Sequence, residues 1–415
     1  MSDDERGNQE TTPDRRAWRG LAGAAVLLLA ATPAATALNG PVGHGTERGE
    51  LLAMTSAASH DATGVRKFLA GRDIATGTVR YGVRAYRLTY RTVDPFGKPT
   101  TATGLLSLPK GGGHRLDLVS DTHGTMVHRG YAPSAGEDFG RIPSYLNASA
   151  GRAVAAPDYL GLGDGPGRHP YMDTRSSVTA AVDMLRASRT AAGQLGRPLT
   201  GDVYATGFSQ GGAVAMALGH AIEEGADRRF RLKALAPVAG PYDLTGEEIP
   251  GLYDGRVNDI SGVLYISYFL VAQNRLHPLW KDPAEVFRAP YAARVEGLFD
   301  GEHEEEDVIA GLAPTVEKLL MPGFLKELRK PTGAFLRTLR GNSEGCAWKP
   351  DVPVRLYAGR VDSDVPIGNA RSCARDLAKR GVRAQLVDQG ADADHFTTLA
   401  RSAPQVVRYF DRVSP

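Results

Sequence analysis

The pentapeptide Gly-Phe-Ser-Gln-Gly at positions 207–211 sets Ser209 between two glycines, directly after a strand-like run at 202–206. A serine on a turn from strand to helix projects its hydroxyl clear of the chain, and flanking glycines remove Cβ atoms that would collide with neighbouring elements. The next residues, 212–220, are small and compatible with a tightly packed helix. The pattern predicts that Ser209 is a nucleophile.

A serine hydroxyl is a weak nucleophile until a base takes its proton, so this chemistry needs a histidine and usually a carboxylate. Asp362 follows a strand-like run at 352–359, and His395 follows a second one at 384–388. The order serine, acid, histidine along the chain is that of hydrolases with a strand-turn-helix nucleophile, and differs from the chymotrypsin-like and subtilisin-like orders. We predict Asp362 as the acid and His395 as the base.

Other aspartates and histidines in the chain are alternatives for the acid and the base. Aspartates are common in loops after strands because they form turns. The alternative acids are Asp243, Asp364, Asp392 and Asp394, and the alternative bases are His123 and His169. His395 is favoured because it lies beyond the acid, in a short predicted loop before an amphipathic helix at 399–413.

Acyl transfer also requires two backbone N–H groups where negative charge develops on the substrate oxygen. The residue after the nucleophile, Gln210, supplies one. The loop after a strand-like run at 116–121 is the expected source of the other, and we predict the Thr125 N–H, with Gly124 allowing close approach of the backbone.

These motifs together resemble the secreted lipase and esterase group of α/β-hydrolases, including bacterial secretory lipases, over residues 75–415. The motifs that carry the resemblance are H-G-T at 123–125, A-P-D-Y-L-G-L-G at 156–163, H-P-Y at 169–171, G-F-S-Q-G-G at 207–212, G-x-x-D-x-x-V-P at 359–366, and His395. The resemblance implies a serine carboxylic ester hydrolase with the triad Ser209, Asp362 and His395 and a helical cap between strands six and seven. It also implies that segments 158–159 and 169–171 support the oxyanion loop and are not catalytic.

The amino-terminal residues 1–37 have the features of an export signal. Polar residues with an arginine pair at 15–16 precede a modest apolar run at 21–31, and Ala-Thr-Ala at 35–37 is an A-x-A-type cleavage site. The apolar run is shorter than the roughly 20 residues of a membrane span, so no integral span is expected. We predict cleavage after Ala37 and secretion, by the twin-arginine pathway or by the ordinary secretory pathway.

The chain has two cysteines, Cys346 and Cys373. An oxidising compartment favours their pairing, and the bond would fasten both sides of the Asp362 loop. Closing a loop of about 28 residues is worth roughly 3 to 4 kcal/mol in the chain-entropy model. A pair of free buried thiols is the alternative.

Composition limits the function classes. The 415-residue chain has a formal charge of +2, and removal of residues 1–37 takes away four arginines and five acidic residues, which leaves +3. Such a small charge argues against a nucleic-acid partner. The length suits one α/β core with an insertion.

An α/β-hydrolase core is expected over 76–244 and 345–415. It begins with an antiparallel hairpin at 79–93 and 101–108, after which strand-like and helix-like segments alternate, which predicts a mostly parallel sheet flanked by helices. Residues 38–75 are expected to form an N-terminal arm with one short helix near 65–69. The alternation stops at 245–344, the expected helical cap. Its apolar run at 260–271 contains candidate pocket residues, namely Tyr265, Tyr268 and Phe269. Helix-like runs are expected at 305–320 and 322–340.

The sequence therefore predicts a secreted serine hydrolase that cleaves esters of small molecules or lipids through an acyl-enzyme. No metal-ligand spacing and no phosphate-binding loop calls for a cofactor. A serine peptidase or an acyltransferase would use the same residues. A non-catalytic binding protein on the same fold is a further alternative, which the intact order of nucleophile, acid and base argues against. The preferred ester and the oligomeric state stay open.

Overall fold

The computed structural model describes residues 47–137 and 139–414. The predicted export signal, residues 1–37, lies outside the described residues.

In the described residues, nine strands form a single mixed sheet. They are β1 (Leu51–His60), β2 (Val83–Val93), β3 (Pro99–Pro109), β4 (Leu116–Thr122), β5 (Ala153–Pro157), β6 (Leu199–Phe208), β7 (Arg231–Val238), β8 (Arg355–Ala358) and β9 (Gln385–Asp388). Their spatial order is β1-β2-β3-β5-β4-β6-β7-β8-β9. The pairs β1/β2, β2/β3 and β3/β5 are antiparallel, and every pair from β5 to β9 is parallel. The predicted opening hairpin and mostly parallel sheet are confirmed.

Helices cover both faces of the sheet. One face carries α3 (Thr174–Gln194), α4 (Gln210–Glu223) and α12 (Gly368–Lys379), and the other carries α1 (Ala62–Ala70), α2 (Ile142–Ser149) and α13 (His395–Val413). Successive strand residues alternate between the two cores, as with Leu105 and Leu106. Each fully buried aliphatic side chain of this kind contributes about 1.5 to 3 kcal/mol.

The segment between β7 and β8 is helical and has a hydrophobic core of its own. Its helices are α5 (Ile249–Asp254), α6 (Asp259–Leu276), α7 (Val295–Leu298), α8 (Glu305–Gly311), α9 (Val316–Leu319), α10 (Pro322–Arg329) and α11 (Gly333–Gly341). The predicted helix at 260–271 is present as part of α6. The two predicted runs at 305–320 and 322–340 are each broken near a proline, Pro314 and Pro331, because proline cannot donate the helical hydrogen bond.

Strand β1 was not foreseen in the N-terminal arm. It lies at the edge of the sheet, six of its ten residues are Ala, Ser or Thr, and all of its side chains are partly or fully exposed. An edge strand of this kind lacks the alternation of apolar and polar residues by which strands are recognised. The short helix expected near 65–69 is present as α1.

Cys346 and Cys373 form a disulfide, which joins the chain just before β8 to α12. The acid loop at 359–366 lies between these two cysteines in sequence. Among the described residues, no helix has both the length and the apolar character needed to cross a membrane.

Candidate active site

Ser209 stands at the junction of β6 and α4 in strained backbone geometry, with φ of 57° and ψ of −125°. A positive φ costs a residue other than glycine about 1 to 3 kcal/mol, and such strain is concentrated at functional sites. The flanking glycines are required by close packing. A Cβ on Gly207 would overlap the Gly211 carbonyl oxygen, and a Cβ on Gly211 would overlap the Thr122 carbonyl oxygen. The local structure is therefore the sharp elbow that the pentapeptide predicts.

Asp362 and His395 form a buried hydrogen-bonded pair. His395 Nδ1 lies 2.8 Å from Asp362 Oδ2. The other carboxylate oxygen, Oδ1, accepts the backbone N–H groups of Asp364 and Val365 at 3.0 and 2.8 Å. These bonds fix the carboxylate and leave His395 Nε2 as the nitrogen available to another group. His395 begins α13 and does not lie in a preceding loop, because Asp394 caps the helix one residue earlier.

The pKa of His395 reflects its opposing surroundings. Burial lowers the pKa of the imidazole, but the charge and hydrogen bond of Asp362 raise it, and the net result lies above the usual 6.5. The Phe208 ring, one residue before Ser209, lies 4.5 Å from the His395 ring between centroids. The elbow and the Asp362–His395 pair therefore meet through Phe208.

The four alternative aspartates are engaged elsewhere. Their partners are Asn258 and Ser261 for Asp364, Ser372 for Asp243, Arg401 for Asp392, and the Thr397 amide for Asp394. Of the five candidates, Asp362 alone is hydrogen-bonded to His395 within the described part of the chain.

The two alternative histidines lie in other environments. The ring nitrogens of His123 face the backbone carbonyl oxygens of Gly124 and Asp158, at 2.7 and 3.1 Å. His169 Nδ1 donates to the Leu160 carbonyl oxygen at 2.9 Å, and burial lowers the pKa of His169 to about 3. Both side chains are thus held by backbone groups and not by the candidate acid.

The residues of the two predicted N–H donors, Gln210 and Thr125, line one cavity together with Ser209. Gln210 is the first residue of α4, so its N–H has no acceptor within the helix. The Gly124 carbonyl is directed toward the His123 ring. Because the C=O and N–H of a trans peptide point in opposite directions, this contact turns the Thr125 N–H away from His123. A Cβ on Gly124 would lie 3.2 Å from the Ser209 Cβ, so the loop and the elbow are in close contact.

Buried side chains support this loop from behind. The Tyr159 hydroxyl donates to the His123 carbonyl oxygen at 3.3 Å, and the Tyr171 hydroxyl lies 2.8 Å from Thr125 Oγ1. Asp158, which also faces His123 through its carbonyl, accepts hydrogen bonds from neighbouring side chains and is fully buried. These contacts agree with the supporting role that the family resemblance implies for both segments.

A mainly apolar cavity of about 80 Å³ opens beside Ser209, Gln210 and Thr125. The helical segment between β7 and β8 supplies much of its wall, including Tyr265 and Phe269. Of the three aromatic residues considered from sequence, Tyr268 is absent from this wall. It stacks instead on Tyr171, with 4.2 Å between ring centroids.

Comparison with solved structures gives neighbours that match most of the chain. The rice cell wall degrading esterase LipA from Xanthomonas oryzae is 30% identical, with a TM-score of 0.78, over 88% of this chain and 98% of that one. The chain belongs to the lipase and esterase family of α/β-hydrolases. A putative hydrolase from Legionella pneumophila (TM-score 0.80, 23% identity, 88% of this chain and 98% of that one) and Candida antarctica lipase A (TM-score 0.63, 12% identity, 89% and 84%) share its fold. No family model and no curated protein matches the sequence.

Sequence analysis of this α/β-hydrolase missed one polar residue of the cavity wall, Glu248. Glu248 is the last residue of a single π-helical turn, Leu244–Glu248, and no sequence pattern predicts such a turn. Among residues 47–137 and 139–414, no cluster of three or more His, Cys, Asp or Glu side chains is arranged to hold a metal ion.

Proposed function

We propose that this hydrolase cleaves carboxylic esters through an acyl-enzyme on Ser209. The observation that carries the proposal is the buried His395–Asp362 hydrogen bond of 2.8 Å beside the strained Ser209 elbow. A nucleophile, an oriented base and an adjoining apolar cavity are the parts that acyl transfer requires.

In the proposed reaction, Ser209 Oγ attacks the ester carbonyl while His395 Nε2 takes its proton. Asp362 holds the imidazole in the tautomer with a proton on Nδ1 and stabilises the imidazolium that forms. The N–H groups of Gln210 and Thr125 bind the oxyanion. His395 then protonates the departing alcohol, and a water molecule activated by the same nitrogen releases the acid from Ser209.

We also propose the division of the chain into a cleaved leader at 1–37, an arm at 38–75, a core at 76–244 and 345–415, and a cap at 245–344. The separate hydrophobic core of the helical segment and its contribution to the cavity wall support the cap. The Cys346–Cys373 disulfide is compatible with the secretion that the leader suggests. The substrates proposed are esters of small molecules or lipids.

The test is hydrolysis of p-nitrophenyl esters from acetate to palmitate by the chain beginning at residue 38, beside its Ser209→Ala variant. We expect turnover by the parent and a loss of roughly 10³-fold or more in the variant, since the nucleophile is removed. The chain-length profile would separate an esterase from a lipase. Equal turnover by both proteins, or cleavage of peptides without cleavage of esters, would contradict the proposal.

A further inference from the structure

Glu248 is a carboxyl group in the wall of a cavity that is otherwise mainly apolar. Its side chain is partly accessible, and it lines the same cavity as Ser209. The π-helical turn that ends at Glu248 places it there, because its N–H donates to the Asp243 carbonyl oxygen five residues back. Turns of this kind occur frequently at functional sites.

One oxygen of this carboxyl group is already bound. Asn369 Nδ2 donates to Glu248 Oε1 at 2.5 Å, and Asn369 Oδ1 accepts the Asp243 N–H, which fixes the orientation of the amide. Within the described part of the chain, Oε2 has no hydrogen-bond partner. The other cavity carboxyl group, on Asp364, accepts two hydrogen bonds on its Oδ1 atom, from Asn258 and Ser261.

The burial of Glu248 favours its neutral form. Burial raises the pKa of Glu248 to about 8; the hydrogen bond from Asn369 opposes this rise, and the charge of Asp362 adds to it. The other groups that act on the carboxyl are His395 and Arg256, which both lower its pKa. Because the amide N–H occupies Oε1, the proton of the neutral acid resides on Oε2.

We propose that Glu248 is a specificity-determining residue, whose carboxyl group donates a hydrogen bond to an uncharged oxygen acceptor on the ester, such as an ether oxygen. A polar group facing an apolar cavity has hydrogen-bonding capacity that a purely alkyl substrate leaves unused. The inference rests on the proposed function, because it concerns the substrate of the same site.

Two isosteric substrate pairs test the proposal, in which an ether oxygen replaces one methylene group. The acyl pair is p-nitrophenyl pentanoate and p-nitrophenyl 3-methoxypropanoate, and the alcohol pair is butyl butyrate and 2-methoxyethyl butyrate. The measured quantity is the ratio of kcat/KM within a pair, compared between proteins, so that differences in intrinsic reactivity cancel. At pH 7 we expect Glu248→Leu to lower the relative preference for the ether about fivefold in one pair. Glu248→Gln should keep the preference for the ether, because its amide still donates a hydrogen bond.

Glu247→Gln is the matched control. Glu247 precedes Glu248 but lies outside the cavity wall and pairs with Arg256. This variant is expected to leave both ratios unchanged. If the parent and Glu248→Leu give the same ratio for both pairs, the proposal is overturned.

A pH profile keeps the test decisive if Glu248→Leu does not fold. An ether oxygen only accepts hydrogen bonds, so the parent must lose its ether preference above about pH 8 as Glu248 ionises. Glu248→Gln must keep the preference at pH 9. Identical pH profiles of the ratio in the two proteins would refute the proposal. By contrast, absence of any Ser209-dependent ester turnover would refute the proposed function itself.

Discussion

At the elbow between β6 and α4, the backbone of Ser209 adopts a conformation that costs energy. Ser209 has a positive φ, and the glycines on either side of it avoid Cβ collisions with α4 and with β4. The pentapeptide at 207–211 predicts this geometry, so Ser209 could be proposed as the nucleophile from sequence. The pairing of Asp362 with His395 could be ranked from order along the chain, but four other aspartates were eligible. Only the folded contacts of those aspartates show where each one is engaged.

Removing the charge of the acid tests the Asp362–His395 pair. Asp362→Asn should lower kcat/KM by roughly 10³- to 10⁴-fold, because the imidazole loses the partner that fixes its tautomer. The parent should gain activity with pH as His395 loses its proton, with an apparent pKa above 6.5. Since the Asp362 charge is what raises that pKa, the acid limb of the residual activity should move to lower pH in the variant. The measurement is a pH profile of kcat/KM for one p-nitrophenyl ester.

Asp392→Asn is the control for this change. Asp392 is an exposed alternative acid paired with Arg401, and its substitution should leave the profile unchanged. A large loss in this variant, with little loss in Asp362→Asn, would reassign the acid.

His123 is expected to act as a positioning residue for the Thr125 N–H. In His123→Ala the Gly124 carbonyl loses its ring partner, so the opposite N–H is free to turn away from the oxyanion. We expect kcat to fall about 10²- to 10³-fold with a smaller change in KM, as for loss of one oxyanion donor. His220→Ala, which alters a half-exposed histidine stacked on Trp348, should change neither. A rise in KM alone would argue for a role in the shape of the cavity.

At the scale of elements, predictability follows how strongly each segment is patterned. The buried parallel strands β4 and β6 were foreseen within a few residues, at 116–121 and 202–206. Strand β1 was missed because its edge position imposes no apolar alternation. Around Pro314 and Pro331 the sequence pattern predicts two long helical runs. In the structure each run is broken into two helices near its proline.

The disulfide should stabilise the elements on either side of the acid loop. The two cysteines are 27 residues apart, and the chain-entropy model gives about 3 to 4 kcal/mol for a loop of this size. We expect the double variant Cys346→Ala, Cys373→Ala to lose about that much free energy of unfolding in urea titrations. Reducing agent should destabilise the parent similarly and leave the variant unaffected. Equal unfolding midpoints for parent and variant would show that the bond contributes little.

At the scale of the whole molecule, the composition of the cavity wall could not be predicted from the sequence. Its wall combines loops and helices from distant parts of the chain, including Thr125, Phe269 and Val365. No local sequence pattern indicates that these segments are in contact, because the contact depends on the packing of the helical segment over the sheet. The apolar run at 260–271 predicted pocket residues from this helical segment, but no pattern predicted the Glu248 carboxyl group in the cavity wall.

Export concerns the chain as a whole. The protein expressed with residues 1–37 in a bacterium that has both export routes should be recovered outside the cytoplasm, beginning at Leu38 by mass spectrometry. The double variant Arg15→Lys, Arg16→Lys should block export if the twin-arginine route is used, and leave it intact if the ordinary route is used. A full-length product retained in the cytoplasm would contradict the leader assignment.

The acyl-enzyme on Ser209 is the central claim, and covalent trapping measures it directly. The protein is treated with a p-nitrophenyl phosphonate ester, which phosphonylates an activated serine, and the adduct is located by peptide mass spectrometry. We predict one adduct per chain, on the peptide that contains Ser209, with loss of ester turnover in proportion to labelling and no adduct in Ser209→Ala. An adduct on another residue that tracks the loss of activity, or full ester turnover after Ser209 is labelled, would contradict the account.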